Sequence, residues 1–217
     1  MTREERKCFL QSLNNKRRGQ PNMSQRTGVC EWGITDVNIP VYSNSNSANI
    51  RPYRVWRGMI NRCYDTKTQK RNPMYIGCVI DERWRHFSSF FEWYNQNYQD
   101  VYDLDKDILI KGNKVYGPDT CCFVPHLINS IFTKSKSARG LYPIGVCRRG
   151  NRYQARMLMY DKSINLGSFS TPSEAFQAYK TAKEAYIKEV ATSYYNEGKI
   201  TEKVYRALMN YQVEITD

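Results

Sequence analysis

Histidine is nearly absent, with two in 217 residues, and no cysteines are spaced as a Cys-x-x-Cys pair. Both shortages weaken the case for a structural zinc site, which is usually assembled from such pairs. The seven cysteines stand at 8, 30, 63, 78, 121, 122 and 147. Cys121 and Cys122 are adjacent, a spacing that suits a strand better than a shared metal, so buried free thiols are expected. No apolar run approaches the length of a membrane span. The opening residues, MTREERKCFL, are charged and carry no apolar stretch, so no secretory leader is expected. An odd cysteine count then points to a reducing, cytoplasmic setting. No internal repeat is visible.

Acidic residues are also scarce where it matters. From Thr120 to Tyr160 there is no Asp or Glu, while Lys134, Lys136, Arg139, Arg148, Arg149, Arg152 and Arg156 fall in that window. The whole chain carries a formal net charge of +12. Cations in excess neutralise phosphates, so nucleic acid is the first partner to consider. A membrane surface is the lesser option, because no basic helix with a greasy face stands out. Hydrophobic residues make up 41% of the chain and aromatics 13%, which is a folding composition rather than a disordered one.

Periodicity divides the chain. Residues 1–50 read as a basic arm and linker, ending in the polar stretch SNSNSAN at 43–49, with one short strand in GVCEWGITDVNIP. Residues 52–64 place Tyr53, Trp56, Met59, Ile60 and Cys63 on one helical face, and Pro52 suits the first turn. KTQKRNP reads as a loop. A second helix is predicted over 86–98, with Phe87, Phe90, Phe91, Tyr94 and Tyr98 inward. A strand is predicted at 104–109, a turn at 111–114, a strand at 121–124 and a helix at 125–132. That succession is a compact ββα unit within a core at 51–133. A basic linker follows at 134–142. From 143 to 217 three short strands, IGVCRR, RYQARMLMY and SINLGSF, precede a helix opened by the capping box Thr171-Pro172-Ser173-Glu174, and a last helix lies near 200–212. The fold class expected is α+β: a ββα core with extra helices, then a small three-stranded antiparallel sheet packed on one helix.

Two stretches resemble known families. Leu104-Asp105-Lys106-Asp107, Gly112-Asn113-Lys114, Phe123-Val124 and Asn129 keep the order and the five-residue final step of the phage-type HNH homing endonucleases. YRVWRGMINRCY and YIGCVIDERW resemble their upstream segment. This resemblance implies metal-dependent DNA cleavage with one Mg²⁺ or Mn²⁺, held by Asp105 and Asn129, with Asp107 a further candidate ligand because i and i+2 share a strand face. It would make the host-cell cytoplasm the setting. Lys106 stands where the family has its general-base histidine. Lysine is ordinarily a proton donor at neutral pH. Three readings follow: Lys106 is a neutral base; it stays charged and holds the phosphate while His126, three residues before Asn129, supplies the imidazole or a third ligand; or the site is inactive and Lys106 is a phosphate contact. His86 is read as structural.

Gly145-Val146, Tyr153-Gln154-Ala155, Leu166-Gly167-Ser168-Phe169 and Ser173-Glu174-Ala175-Phe176-Gln177-Ala178-Tyr179 resemble the Apetala-type, or ethylene-response-factor, DNA-binding domain. Its sheet enters the major groove of double-stranded DNA. Alternation puts Arg152, Gln154, Arg156 and Leu158 on the groove side, joined by Arg148 and Arg149. That family commonly has an acidic residue where Arg156 stands, so its base preference does not transfer. The sequence thus points to an HNH-type DNA endonuclease or nickase targeted by a reader domain; it does not fix the oligomeric state, for which a monomer is favoured. Its rivals are a catalytically inactive DNA-binding protein derived from such a nuclease and, less strongly, an RNA-binding module.

Overall fold

Pro52 sits in the first turn of helix α1 (Ile50–Tyr64), where the backbone amide it lacks would have had no partner. The helix is amphipathic for a plain reason. Trp56, Met59, Ile60 and Cys63 recur at three- and four-residue steps and all are buried. The structure is a computed structural model that describes residues 27–36, 50–132, 141–160, 162–215 and 217. The basic arm, the SNSNSAN stretch and the linker cations Lys134, Lys136 and Arg139 lie outside the described residues. The chain divides into two compact units, residues 1–123 and 124–217.

In the first unit, strands β1 (Thr27–Val29) and β2 (Gly33–Ile34) form a small antiparallel hairpin where one strand is expected from the sequence. Gly33 faces α1 so closely that an added Cβ would meet Ile60 Cδ1 at 2.5 Å and the Trp56 ring at 2.8 Å. KTQKRNP is not all loop. Thr66–Arg71 is a short helix, α2, capped by Asp65, whose carboxylate accepts the Thr68 amide at 2.9 Å. It buries no residue, so it has no apolar stripe to betray it. After a 3-10 turn at Pro73–Tyr75 comes strand β3 (Val79–Ile80).

Helix α3 (Phe87–Asn97) buries Phe87, Phe90, Phe91 and Tyr94. These aromatics are core, not a base-stacking surface. Phe87 meets Trp56 edge-on at 5.4 Å and Phe90 meets Trp84 edge-on at 5.1 Å. The Trp56 indole donates to the Trp84 carbonyl at 2.7 Å, which satisfies the one polar atom of a fully buried side chain. His86 is structural: it precedes α3, and Asp36, 3.4 Å from its Nδ1, accepts the Ser88 amide at 3.0 Å. Strand β4 (Tyr102–Asp105) pairs with β6 (Cys122–Pro125), within which the two units divide. Between them, β5 (Val115–Tyr116) pairs in parallel with β3. The structure is mixed helix and sheet with small antiparallel sheets. No disulfide links the described cysteines, which are free thiols.

The first helix of the second unit is α4 (His126–Ile131). Strands β7 (Val146–Arg149), β8 (Arg152–Met159) and β9 (Lys162–Phe169) form an antiparallel sheet in the order β7-β8-β9. Ala155 and Met157 are buried beneath the long helix α5 (Pro172–Asn196), which outruns its expected end near Val190. Its capping box is formed: Thr171 Oγ1 accepts the Glu174 amide and Glu174 Oε2 accepts the Thr171 amide. Gly145 has φ +76, and an added Cβ would overlap the Tyr179 ring, so the approach to the sheet requires glycine. Helix α6 (Glu202–Met209) tucks Val204 and Leu208 inward. Among the described residues, no helix is long and apolar enough to cross a membrane.

A cavity of about 250 Å³ lies in this unit between α4, β8, α5 and the C-terminal residues, with Lys183 on its wall. Burial pushes the Lys183 pKa down to about 8 from the ordinary 10.5. Between those values the unfolded chain holds a proton that the folded one has released, so stability rises with pH. Lys183→Met should therefore stabilise the unit by about 1–3 kcal/mol at pH 7, with the gain shrinking toward high pH. Urea unfolding across a pH series measures this. A variant less stable than wild type at pH 7 would show that the ammonium is well solvated where it sits.

Candidate nuclease-like turn and nucleic-acid interface

The ββα resemblance centres on residues 105–116. Strand β4 stops at Asp105 rather than running to Leu109. The cause is the Asp105 carboxylate, whose Oδ1 accepts the amides of Asp107 and Ile108, each at 2.7 Å. That pair of bonds turns the chain at once. Burial raises the Asp105 pKa, opposed by the bonds from Ile108 and Asp107.

Asp107 consequently does not share a strand face with Asp105. Its Oδ2 is taken by Lys106 Nζ at 2.7 Å. The same ammonium donates to the Asn113 carbonyl at 2.8 Å and lies 5.8 Å from the Tyr116 ring centroid. Lys106 is only 7% exposed. Gly112, at φ +74, lets the chain come back, and Asn113 closes the loop. Its Nδ2 donates to the carbonyls of Lys106 at 2.8 Å and Val115 at 2.7 Å, while its Oδ1 accepts the Val115 amide at 3.0 Å. Asn113 is thus the residue that sequence reasoning passes over. It stands in the Gly-Asn-Lys turn, but nothing in the sequence pattern assigns it a task.

A general base needs a free lone pair within reach of a water molecule. Here Lys106 is inward-facing and uses N–H bonds in both of its contacts. His126 opens α4 and is exposed, and Asn129 lies one turn further on, partly buried. The structure groups Asp105, Lys106 and Asp107 in the first unit, and His126 and Asn129 in the second.

The turn is a poor match for a resident Mg²⁺ or Mn²⁺. Such ions want several oxygen donors and an anionic setting. Asp107 already faces an ammonium, and Asp105 has one carboxylate oxygen outside the turn. Among the described residues no group of three His, Cys, Asp or Glu side chains is arranged around a metal position.

The three-stranded sheet of the second unit pairs in antiparallel register. Arg149 pairs with Arg152 and Cys147 with Gln154, so these four share a face with Arg156 and Leu158. Arg148 pairs with Tyr153 and belongs to the opposite face. Consecutive strand residues point to opposite faces, so Arg148, though exposed, does not share the face of Arg149 and Arg152, which corrects the expectation for Arg148. Its Nε instead donates to the Gly150 carbonyl at 3.0 Å. On β9 the register adds Ser163, Asn165 and Ser168, opposite Leu158, Arg156 and Gln154. A bulge opposite the Ala155–Arg156 step breaks strict alternation there, which hides these three in the sequence. None of these paired residues is a carboxylate. Arg156 Nε donates to Gln154 Oε1 at 2.9 Å, and Arg152 reaches the Ser168 carbonyl at 2.8 Å. Leu158 is 60% exposed.

Removing the Lys106 ammonium should unsettle the whole turn. Lys106→Met would strand the Asn113 carbonyl and cost about 2–4 kcal/mol, discounted because Asp107 is half-exposed. Thermal unfolding and amide exchange at Val115 read this out. Unchanged stability and protection would show that the clamp carries nothing. No family model, curated protein or solved structure matches this chain.

Proposed function

We propose that this chain is a double-stranded DNA-binding protein whose exposed β7–β9 face enters the major groove. The observation that carries the reading is the acid-free face on which Arg149, Arg152, Gln154 and Arg156 project from paired strands. A guanidinium fork matches guanine O6 and N7, an amide matches adenine, and an apolar side chain such as Leu158 suits the thymine methyl. The bond from Arg156 to Gln154 holds both side chains in a fixed relation before DNA arrives, which lowers the ordering cost of contact. In this reading the 105–116 turn is a scaffold, with Lys106 its internal brace.

A second reading, metal-dependent strand cleavage of the HNH type, is favoured by Asp105. It is a largely buried carboxylate with one oxygen outside its turn, at the family's ligand position. One assay separates the two. Supercoiled plasmid carrying a selected binding site is incubated with Mg²⁺, Mn²⁺ or EDTA. No nicking is expected. Nicking with either metal that Asp105→Ala abolishes, while binding survives, would establish the enzyme instead.

The reader assignment has its own test. Sites are selected from random duplexes, and Arg152→Ala and Arg156→Ala are measured on selected and random DNA. Each should lose about 1–3 kcal/mol on the selected site and relax preference at one base pair. Equal losses on both DNAs would reduce these arginines to phosphate contacts.

A further inference from the structure

Charge in the first unit is segregated along the chain. Residues 50–71 contain seven cations (Arg51, Arg54, Arg57, Arg62, Lys67, Lys70, Arg71) against one carboxylate, Asp65. Residues 81–107 reverse this, with seven carboxylates (Asp81, Glu82, Glu92, Asp100, Asp103, Asp105, Asp107) against Arg83, Arg85 and Lys106. An ordinary solvated surface intersperses the signs.

The pairing pattern sharpens the contrast. Arg83 is bridged to Asp81 at 2.6 Å and Asp119 at 2.7 Å, Arg85 to Glu82 at 3.6 Å, and Lys106 to Asp107 at 2.7 Å. Arg51 and Arg62 lie over the rings of Tyr98 and Tyr116, at 5.1 and 5.4 Å. Arg54, Arg57, Lys67, Lys70 and Arg71 are exposed, and none of them forms an ion pair within the described residues. Arg54 lies on the side of α1 opposite the buried Trp56, Met59 and Ile60, and Arg57 on its exposed flank. Asp65, the one nearby carboxylate, is bound by the Thr68 amide and hydroxyl at 2.9 and 2.6 Å.

Helix α2 adds a second observation. It buries nothing, yet it is fixed in place: Asp65 caps it and Gln69 Nε2 donates to the Cys63 carbonyl of α1 at 2.6 Å. Core packing does not account for it. What the helix does accomplish is to hold three further lysine and arginine side chains, Lys67, Lys70 and Arg71, exposed directly after α1.

We propose that the exposed α1–α2 face, Arg54, Arg57, Lys67, Lys70 and Arg71, is a second DNA-contacting surface that grips the phosphate backbone of a duplex without reading its sequence. This rests on the reading of the chain as a duplex-DNA-binding protein, and it assigns to the first unit a role independent of cleavage. Phosphates are the fitting partner because the five charges are on long side chains, exposed and outside any ion pair among the described residues. Such groups neutralise a polyanion and release its counterions, but do not fix hydrogen-bond geometry. Arg54 and Arg57 stand about one helical turn apart, roughly 5 Å, so both reach one strand.

The test uses the full chain and a random-sequence duplex, with affinity measured over a salt series. The variants are the fivefold Arg54→Gln, Arg57→Gln, Lys67→Gln, Lys70→Gln, Arg71→Gln and the charge-preserving Arg54→Lys, Arg57→Lys, Arg71→Lys. The neutralised chain should bind random duplex at least tenfold more weakly near 0.1 M salt. Its log–log salt slope should shrink by about 0.9 for each phosphate no longer neutralised, about 3–4 in all. Its base preference on a selected site should be unchanged, and the charge-preserving variant should keep the wild-type slope. A neutralised chain with wild-type affinity and slope overturns this proposal alone, and leaves the sheet as reader. Wild-type chain that binds no duplex overturns both. Circular dichroism confirms that these exposed substitutions leave the fold intact.

Discussion

A buried ammonium must find acceptors for its protons, and the first unit is arranged around one that does. Lys106 is met by the Asp107 carboxylate and the Asn113 carbonyl. To bring them there, the chain must leave β4 at Asp105, turn, and return through Gly112 at positive φ. Asn113 then passes the constraint onward. By bonding both backbone groups of Val115 it sets the start of β5, and the β5 pairing with β3 runs from Val115 and Tyr116 to Val79 and Ile80. Tyr116 and Ile80 belong to the aromatic core with Trp56 and Phe90. One charge, buried and bonded to two acceptors, thereby links the turn to the packing beneath it.

How much of this is legible in the sequence depends on which force writes each element. Where burial with a helical period dominates, as at Trp56, Met59 and Ile60 or Phe87, Phe90 and Phe91, the pattern is plain. Where a local bond dominates and its residues are contiguous, as in the Thr171–Glu174 capping box, it is plain too. Helix α2 reads as loop because no hydrophobic residue marks it, and its cap is an aspartate that serves a turn equally well. The early end of β4 is hidden because alternation at Leu104–Leu109 looks like a strand until Asp105 is seen bonding forward to the amides of Asp107 and Ile108. The parallel β3–β5 pairing joins segments some 35 residues apart with two residues each, too short for any pattern to declare. Arg148 misleads for a simpler reason: its charge suggests the groove, but its parity along β7 puts it on the other face.

The two acid-poor surfaces differ in kind. On the sheet, Arg152 and Arg156 are held by Ser168 and Gln154, so their donors point in set directions before any partner arrives. On α1 and α2, Arg54, Arg57, Lys67, Lys70 and Arg71 form no ion pair among the described residues, unlike Arg51 and Arg62, which are held against Tyr98 and Tyr116. Directional donors suit base edges, whereas free charges suit a backbone that repeats whatever its sequence. The separation would let the chain hold a duplex loosely with one unit while the other samples bases, a division that needs no fixed geometry between the units.

The sequence order around residues 105–129 and the structure of the turn bear differently on cleavage. A histidine at position 106 would offer an acceptor nitrogen at neutral pH, and a turn built on it would leave that nitrogen facing a water molecule. A lysine there offers donors alone. The loop turns acceptors inward to meet those donors, with Asp107 and the Asn113 carbonyl both bonded to Nζ. An active base would have to aim a lone pair at a water molecule from a side chain that is only 7% exposed and already donates to Asp107 and the Asn113 carbonyl. Retaining the bonds demands no rearrangement and keeps β5 in register. The physical logic of the turn therefore favours a brace over a base, and it moves the functional weight onto the surfaces whose cations stand outside any ion pair among the described residues.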